Sequence, residues 1–145
     1  MTRCFSAVLL LFGALAWSQS KGPRTFDLAL PENWKQAENL VLVFKNLEVP
    51  EDRGVVFRLF PAGQSEAIQT KDDSLASVSV VANSRHAKGV RHIDKLEVNL
   101  SSEFRRWAEK AKTGEWISII VKPYAGLREA NDYPWQVKEL KLKVR

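Results

Sequence analysis

Two apolar runs, Leu40–Phe44 and Gly54–Phe60, do most to limit what this chain can fold into. They are separated by the polar break Pro50-Glu51-Asp52-Arg53-Gly54. β-Branched and aromatic residues fill both runs, and Pro or Gly bounds each, which favours strands over a helix. In the second run Val55, Phe57 and Leu59 share one face while Arg58 points to the other, as a two-residue period requires. The first run is apolar on both faces, so it predicts a strand covered on both sides. Read as a long hairpin, the pair cannot stand alone in water and needs further strands over its apolar face.

A chain of 145 residues fits one domain. Met1-Thr2-Arg3 forms a basic start, Phe5 to Trp17 is apolar, and Ala16-Trp17-Ser18 presents small residues for cleavage after Ser18. Residues 1–18 therefore read as a signal peptide and 19–145 as a single β-sandwich domain, secreted or periplasmic. The apolar run is shorter than the about 20 residues needed to span a bilayer, so no membrane association is expected after cleavage. Cys4 is the only cysteine and would leave with the leader. That excludes disulfide staples, thiolate metal sites and a cysteine nucleophile in the mature chain. Loss of Arg3 would take the net charge from +5 to +4, well mixed and not a footprint for nucleic acid. The basic residues Lys138, Lys141, Lys143 and Arg145 read first as the solvated face of an edge strand, and second as a surface for an anionic partner.

Further strands are at hand. Phe26, Leu28 and Leu30 alternate up to Pro31; Ala76, Val78 and Val80 alternate with Ser77 and Ser79; Leu96, Val98 and Leu100 alternate with polar residues. Ile117, Ile119 and Val121 form another inward set, with Pro123 expected to end the strand. In the last run Trp135 and Val137 share one parity and Leu140, Leu142 and Val144 the other, which predicts a bulge near Lys138-Glu139. One helix is expected over 102–113, capped by Ser101 or Ser102, with Phe104, Trp107, Ala108 and Ala111 inward and Arg105, Arg106 and Glu109 in solvent. Gly114 is placed for its C′ stop. The sum is a mainly β fold, an antiparallel β-sandwich of about seven strands with one short α-helix. Val43, Phe57, Val80, Ile119 and Leu142 are expected in one core.

Catalytic chemistry is hard to find. The two histidines, His86 and His92, are too far apart for a helical metal pair and lack a third ligand; His92 shares parity with Leu96 and Val98 and reads as the end of a core face. No nucleophile elbow or phosphate-binding glycine loop occurs, and Asp72-Asp73 reads as solvated loop. Neither a cofactor nor a metal site is expected, and the chain is not expected to be an enzyme. Asn99-Leu100-Ser101 fits a glycosylation sequon, although Ser101 also suits the helix cap.

The order of elements resembles the C-terminal domain of bacterial tyrosinases and their relatives. Leu40-Val41-Leu42-Val43-Phe44, then Val49-Pro50 with Gly54, then Val55-Val56-Phe57-Arg58-Leu59-Phe60-Pro61 stand where that family has a strand, a turn and a second strand. The 96–100 strand, the 104–112 helix, Trp116 to Pro123 and Val137 to Val144 continue the match. In that family six histidines on a separate helical domain hold two coppers, and the β-sandwich covers that site with a side chain. The resemblance thus implies a non-catalytic accessory domain that docks on a tyrosinase-like copper oxidase encoded separately. The Tyr124–Trp135 loop offers the docking residues: Tyr124, Leu127, Tyr133 and Trp135, with both tyrosines expected to be exposed. The alternative is an extracellular binding module for a glycan or another anionic polymer.

Overall fold

The computed structural model describes residues 21–63, 74–83 and 89–145. The signal-peptide reading at 1–18, Asp72-Asp73 and His86 lie outside the described residues. Among the described residues, eight strands and one helix follow in the order β1 (Arg24–Ala29), β2 (Leu40–Pro50), β3 (Val55–Pro61), β4 (Ala76–Val80), β5 (Val90–Leu100), α1 (Ser102–Ala111), β6 (Trp116–Ala125), β7 (Arg128–Glu129) and β8 (Gln136–Val144). They make two antiparallel sheets. One runs β1-β6-β3-β4, with β7 added to the end of β6, and the other runs β5-β2-β8.

The expected hairpin of the two apolar runs is not formed. β2 is the central strand of the small sheet, and β5 and β8 occupy both of its hydrogen-bonding sides. β3 therefore has no free edge of β2 to pair with, and Glu51–Gly54 carries the chain to the opposite sheet. Glu51 anchors that crossing: its N–H donates to the Gly89 carbonyl and its carbonyl accepts from Asn83 N–H, both at 3.0 Å.

Between the sheets, Leu40, Leu42 and Phe44 of β2 meet Phe57 and Leu59 of β3, and Ile117, Ile119 and Val121 of β6. Val80 and Leu142 join them. Val43 does not. It is fully buried, but on the outer face of the small sheet, where the register sets it between Glu97 and Lys141. Long charged side chains cover apolar surface with their stems, so both faces of β2 are shielded by different means.

The change of parity in β8 has a different origin from a bulge. Lys45 lies opposite Glu139 and Leu47 opposite Val137, so the register does not slip. β2 itself changes faces there: Phe44 and Leu47 are both in the core, and Asn46 between them has a left-handed backbone, φ 52°. β5 does the same, with Leu96 and Ile93 both against the core. Three paired strands turn over together at one level. His92 is thereby moved off the core face, and its imidazole lies between Glu48, at 3.5 Å, and Asp94, at 3.0 Å.

The helix packs Phe104 and Ala108 into the core and is capped as expected, Ser101 Oγ accepting from Phe104 N–H at 3.4 Å. Arg105 is not free in solvent. Its guanidinium donates to the carbonyls of Ala37 and Glu38, tying the helix to the 31–39 loop. Glu109 pairs with Lys35 at 2.9 Å, and that bond holds its carboxyl below the usual carboxylate range. The helix stops at Ala111, with Lys112 N–H donating to Ala108. Gly114 comes later, in a two-residue turn closed by Thr113 and Trp116, whose N–H and C=O groups bond reciprocally at 2.9 and 3.2 Å. Its φ of 63° serves that turn rather than the helix end.

Candidate functional site

β6 organises the surface. It runs between β1 and β3, pairing with β1 up to Val121 and with β3 from Ile119 to Tyr124. Pro123 does not end it. The Pro123 carbonyl accepts from Ala130 N–H at 2.9 Å, on the side where β1 has already stopped. Carbonyl and nitrogen of one strand residue point the same way, so the missing N–H breaks no ladder bond. Beyond it the chain turns at Gly126-Leu127, with Gly126 at φ 65°, and returns as β7.

This hairpin corrects the expected exposure of the loop aromatics. Tyr124 is only 4 % exposed, Tyr133 2 % and Trp135 1 %; Leu127 alone of the four nominated residues is open, at 75 %. Tyr133 and Trp135 belong to the central core. The Phe57 ring lies 4.9 Å from Trp135 and 6.3 Å from Tyr133, the latter edge-on. The segment at Gly22 covers them: Trp135 Nε1 donates to the Gly22 carbonyl at 2.7 Å, and Gly22 N–H donates to the Tyr133 carbonyl at 3.0 Å. Gly22 is required there, because a Cβ would lie 2.6 Å from the Asn131 carbonyl oxygen. Burial pushes the Tyr133 phenol up to about 12, with Arg53 pulling it down and Asp52 pushing it further up. The signal was present in the sequence. Tyr133, Trp135 and Val137 alternate, a pattern for an inward face.

Tyr124 is buried on the outer face of the large sheet, in a small cluster with Phe60 and Ile120. Lys122 joins it, 2 % exposed, with its ammonium 3.3 Å from Glu129 and 5.1 Å from the centre of the Phe60 ring. Tyr124 Oη donates to the same Glu129 carboxylate at 3.4 Å, and the Arg58 guanidinium lies 5.2 Å from the Tyr124 ring centre. Burial raises the Tyr124 phenol, and Glu129 raises it further. Lys122 and Glu129 thus bridge the base of the hairpin from which Leu127 projects. The lysine was not marked by its sequence context, which reads as an ordinary outward position.

Clefts lie elsewhere among the described residues. One, of about 290 Å³, lies beside Trp34 and is lined by charged residues including Glu32, Lys35, Lys112 and Glu115. Another, of about 440 Å³, lies at the start of β6 and is lined by Trp107 and Trp116. Among the described residues, no three His, Cys, Asp or Glu side chains gather where they could hold a metal ion, and no helix is long and apolar enough to cross a membrane.

No family model matches the sequence, and no curated protein matches it either. Solved structures do. A latent aurone synthase (polyphenol oxidase) from natural source matches with a TM-score of 0.56 at 16 % identity, over 85 % of this chain and 24 % of that one. The recombinantly expressed latent enzyme gives 0.56 at 15 % identity with the same coverage. Its form co-crystallised with hexatungstotellurate(VI) and soaked in H2O2 gives 0.54 at 14 %, over 84 % and 24 %. The likeness is one of fold. This chain spans about a quarter of the length of those oxidases.

Proposed function

We propose that the protein is a secreted, non-catalytic accessory domain that docks on a separately encoded tyrosinase-like copper oxidase and covers its site. Leu127 is the covering side chain. The observation that carries this reading is a single leucine held at the tip of a two-residue turn, 75 % exposed, on a hairpin whose base is locked by Lys122, Glu129 and Tyr124. An aliphatic side chain on a rigid stalk fits a pocket lined by apolar groups and brings no atom that competes for a metal. The fold likeness to part of a latent polyphenol oxidase supports the same reading. The chain's own chemistry agrees with a passive role: residues 19–145 contain no cysteine and two histidines.

The test is inhibition in trans. A purified tyrosinase-like copper oxidase from the source organism is assayed for phenol oxidation with and without this protein. Wild type should lower the rate. Leu127→Asp should weaken inhibition about tenfold or more, because a carboxylate cannot enter an apolar pocket without losing its hydration, while its thermal midpoint stays unchanged. Full oxidase activity at saturating wild type, or equal inhibition by Leu127→Asp, refutes the reading.

A further inference from the structure

At the other end of β6, Trp116 is 54 % exposed, although large aromatics ordinarily bury most of their surface. Its backbone is not loose. Trp116 pairs with Ala29 of β1 and closes the Thr113–Trp116 turn through two hydrogen bonds, so an exposed ring stands on a fixed base. Trp107 lines the same 440 Å³ cleft and is set by an edge-on contact with Phe104, at 5.4 Å and 63°. The rest of the described lining is small or hydroxylic: Ala62, Gly63 and Ala111, with Thr25, Thr113 and Ser118. Ser118 Oγ donates to the Asp27 carboxylate, which leaves the serine lone pairs free to accept from a ligand.

We infer that this cleft is a binding site for a neutral oligosaccharide, with Trp116 and Trp107 as stacking platforms and Thr25, Thr113 and Ser118 as hydroxyl partners. Charge sets the class of ligand. The described residues lining the cleft are aromatic, small or hydroxylic and none is ionisable, in contrast to the charged cleft beside Trp34, and such a lining suits a neutral ligand. A pyranose ring presents both required surfaces, a C–H face for the electron-rich face of an indole and a rim of hydroxyls. Shape separates it from a small aromatic ligand. Pockets for such molecules enclose about 70–90 % of their surface, whereas this cleft lies on the surface with one of its tryptophan walls half in solvent. That form suits a chain running along it. Fixed platforms also limit the ordering cost of binding.

The site is independent of the covering role of Leu127. Ten residues of β6 separate the two ends, about 30 Å at the rise of an extended strand.

The experiment is a titration of ¹⁵N-labelled protein with cellohexaose, xylohexaose and mannohexaose, following the indole N–H signals. The Trp116 signal is identified by its loss in Trp116→Phe. It should shift saturably with at least one of the three at millimolar concentration. Trp116→Ala should weaken that binding about tenfold or more with no change in thermal midpoint, because the ring is half exposed. Ser118→Ala should weaken it several-fold, and Leu127→Asp should bind as wild type does. The inference is overturned if no hexasaccharide moves the Trp116 signal, if Trp116→Ala binds equally well, or if phenol moves that signal and the sugars do not.

Discussion

Raising the pH past the ordinary range of tyrosine tests the correction to the aromatic loop directly. The chain has two tyrosines, Tyr124 and Tyr133, and both are held above their ordinary value by burial. In an unfolded chain each ionises near pH 10. In the folded state Tyr133 is pushed up to about 12. The neutral phenol is therefore the form that the fold favours, and its contribution is fully present below pH about 10 and is lost as the pH rises towards about 12. A displacement of about two units corresponds to about 3 kcal/mol of stability lost over that window. The assay is tyrosinate absorbance against pH, in native buffer and in denaturant. The native curve should lie well above the denatured one. Tyr133→Phe should remove the later of its two steps. That variant forfeits only the 3.4 Å bond from Tyr133 Oη to the Arg53 carbonyl, which at that length contributes at most about 1 kcal/mol. In urea unfolding, Tyr133→Phe should consequently be slightly less stable than wild type at pH 7 and more stable near pH 11. If both tyrosines ionise near pH 10 in the native protein, they are solvent-exposed and the core placement of Tyr133 is wrong.

Substitutions at two other positions probe the supports of the surface sites. Gly114→Val should destabilise by about 1–2 kcal/mol, because φ is 63° and a Cβ meets nothing within 4 Å, so the cost is backbone strain alone. Gly114→Asn should recover part of it, since asparagine tolerates this region, and a urea midpoint unchanged by the valine would refute the turn. Glu129→Gln leaves the Lys122 ammonium buried without its carboxylate and should cost about 1–3 kcal/mol, less than the about 3–5 kcal/mol of a fully buried pair, because Glu129 is 37 % exposed. The same change should bring the Tyr124 titration down, as Glu129 is one of the groups that raise it. No loss of stability and no movement of Tyr124 would mean that the three groups do not share a site.

Alternation made the faces legible and left the pairing hidden. Val55, Phe57 and Leu59, and Ile117, Ile119 and Val121, are inward as their two-residue period requires. The apolar character of Leu40–Phe44 on both sides marked a strand covered on both faces, and β2 is the centre of its sheet. A period says which way a side chain points and nothing about which strand lies beside it, so two neighbouring apolar runs looked like a hairpin when they belong to opposite sheets. The turnover at Asn46 was hidden for a related reason. Its parity break is visible in each of three strands, but only their pairing shows that Asn46, Lys138 and Asp94 stand at one level and that no residue is inserted. At the candidate sites, polarity misled. The Tyr124–Trp135 stretch is polar on average, yet Gly22 and the hairpin bury its aromatics and leave Leu127 outside.

The two exposed apolar side chains of functional interest stand at the ends of the same strand, and that placement has a consequence for how they work. β6 is paired with β1 from Trp116 to Val121, with β3 from Ile119 to Tyr124 and with β7 at Tyr124 and Ala125, so both of its ends are held in the large sheet. Trp116 is fixed by the Thr113 turn, and Leu127 by the Lys122–Glu129 bridge across the hairpin. Neither needs to change the other to be occupied. A saccharide bound at Trp116 would leave Leu127 about 30 Å away and free to reach a partner. On the two proposals together, the domain would be held on a polymer at one end while the other end met a soluble or neighbouring oxidase. Local enrichment then raises the effective concentration of the leucine stalk without altering its affinity. Inhibition in trans should therefore be stronger in a suspension of the bound polysaccharide than in solution when the oxidase is retained by the same polymer. Trp116→Ala should abolish that gain and leave inhibition in free solution intact. Equal loss of inhibition in both settings would show that Trp116 acts on the oxidase contact itself, and that the two ends of β6 are one site.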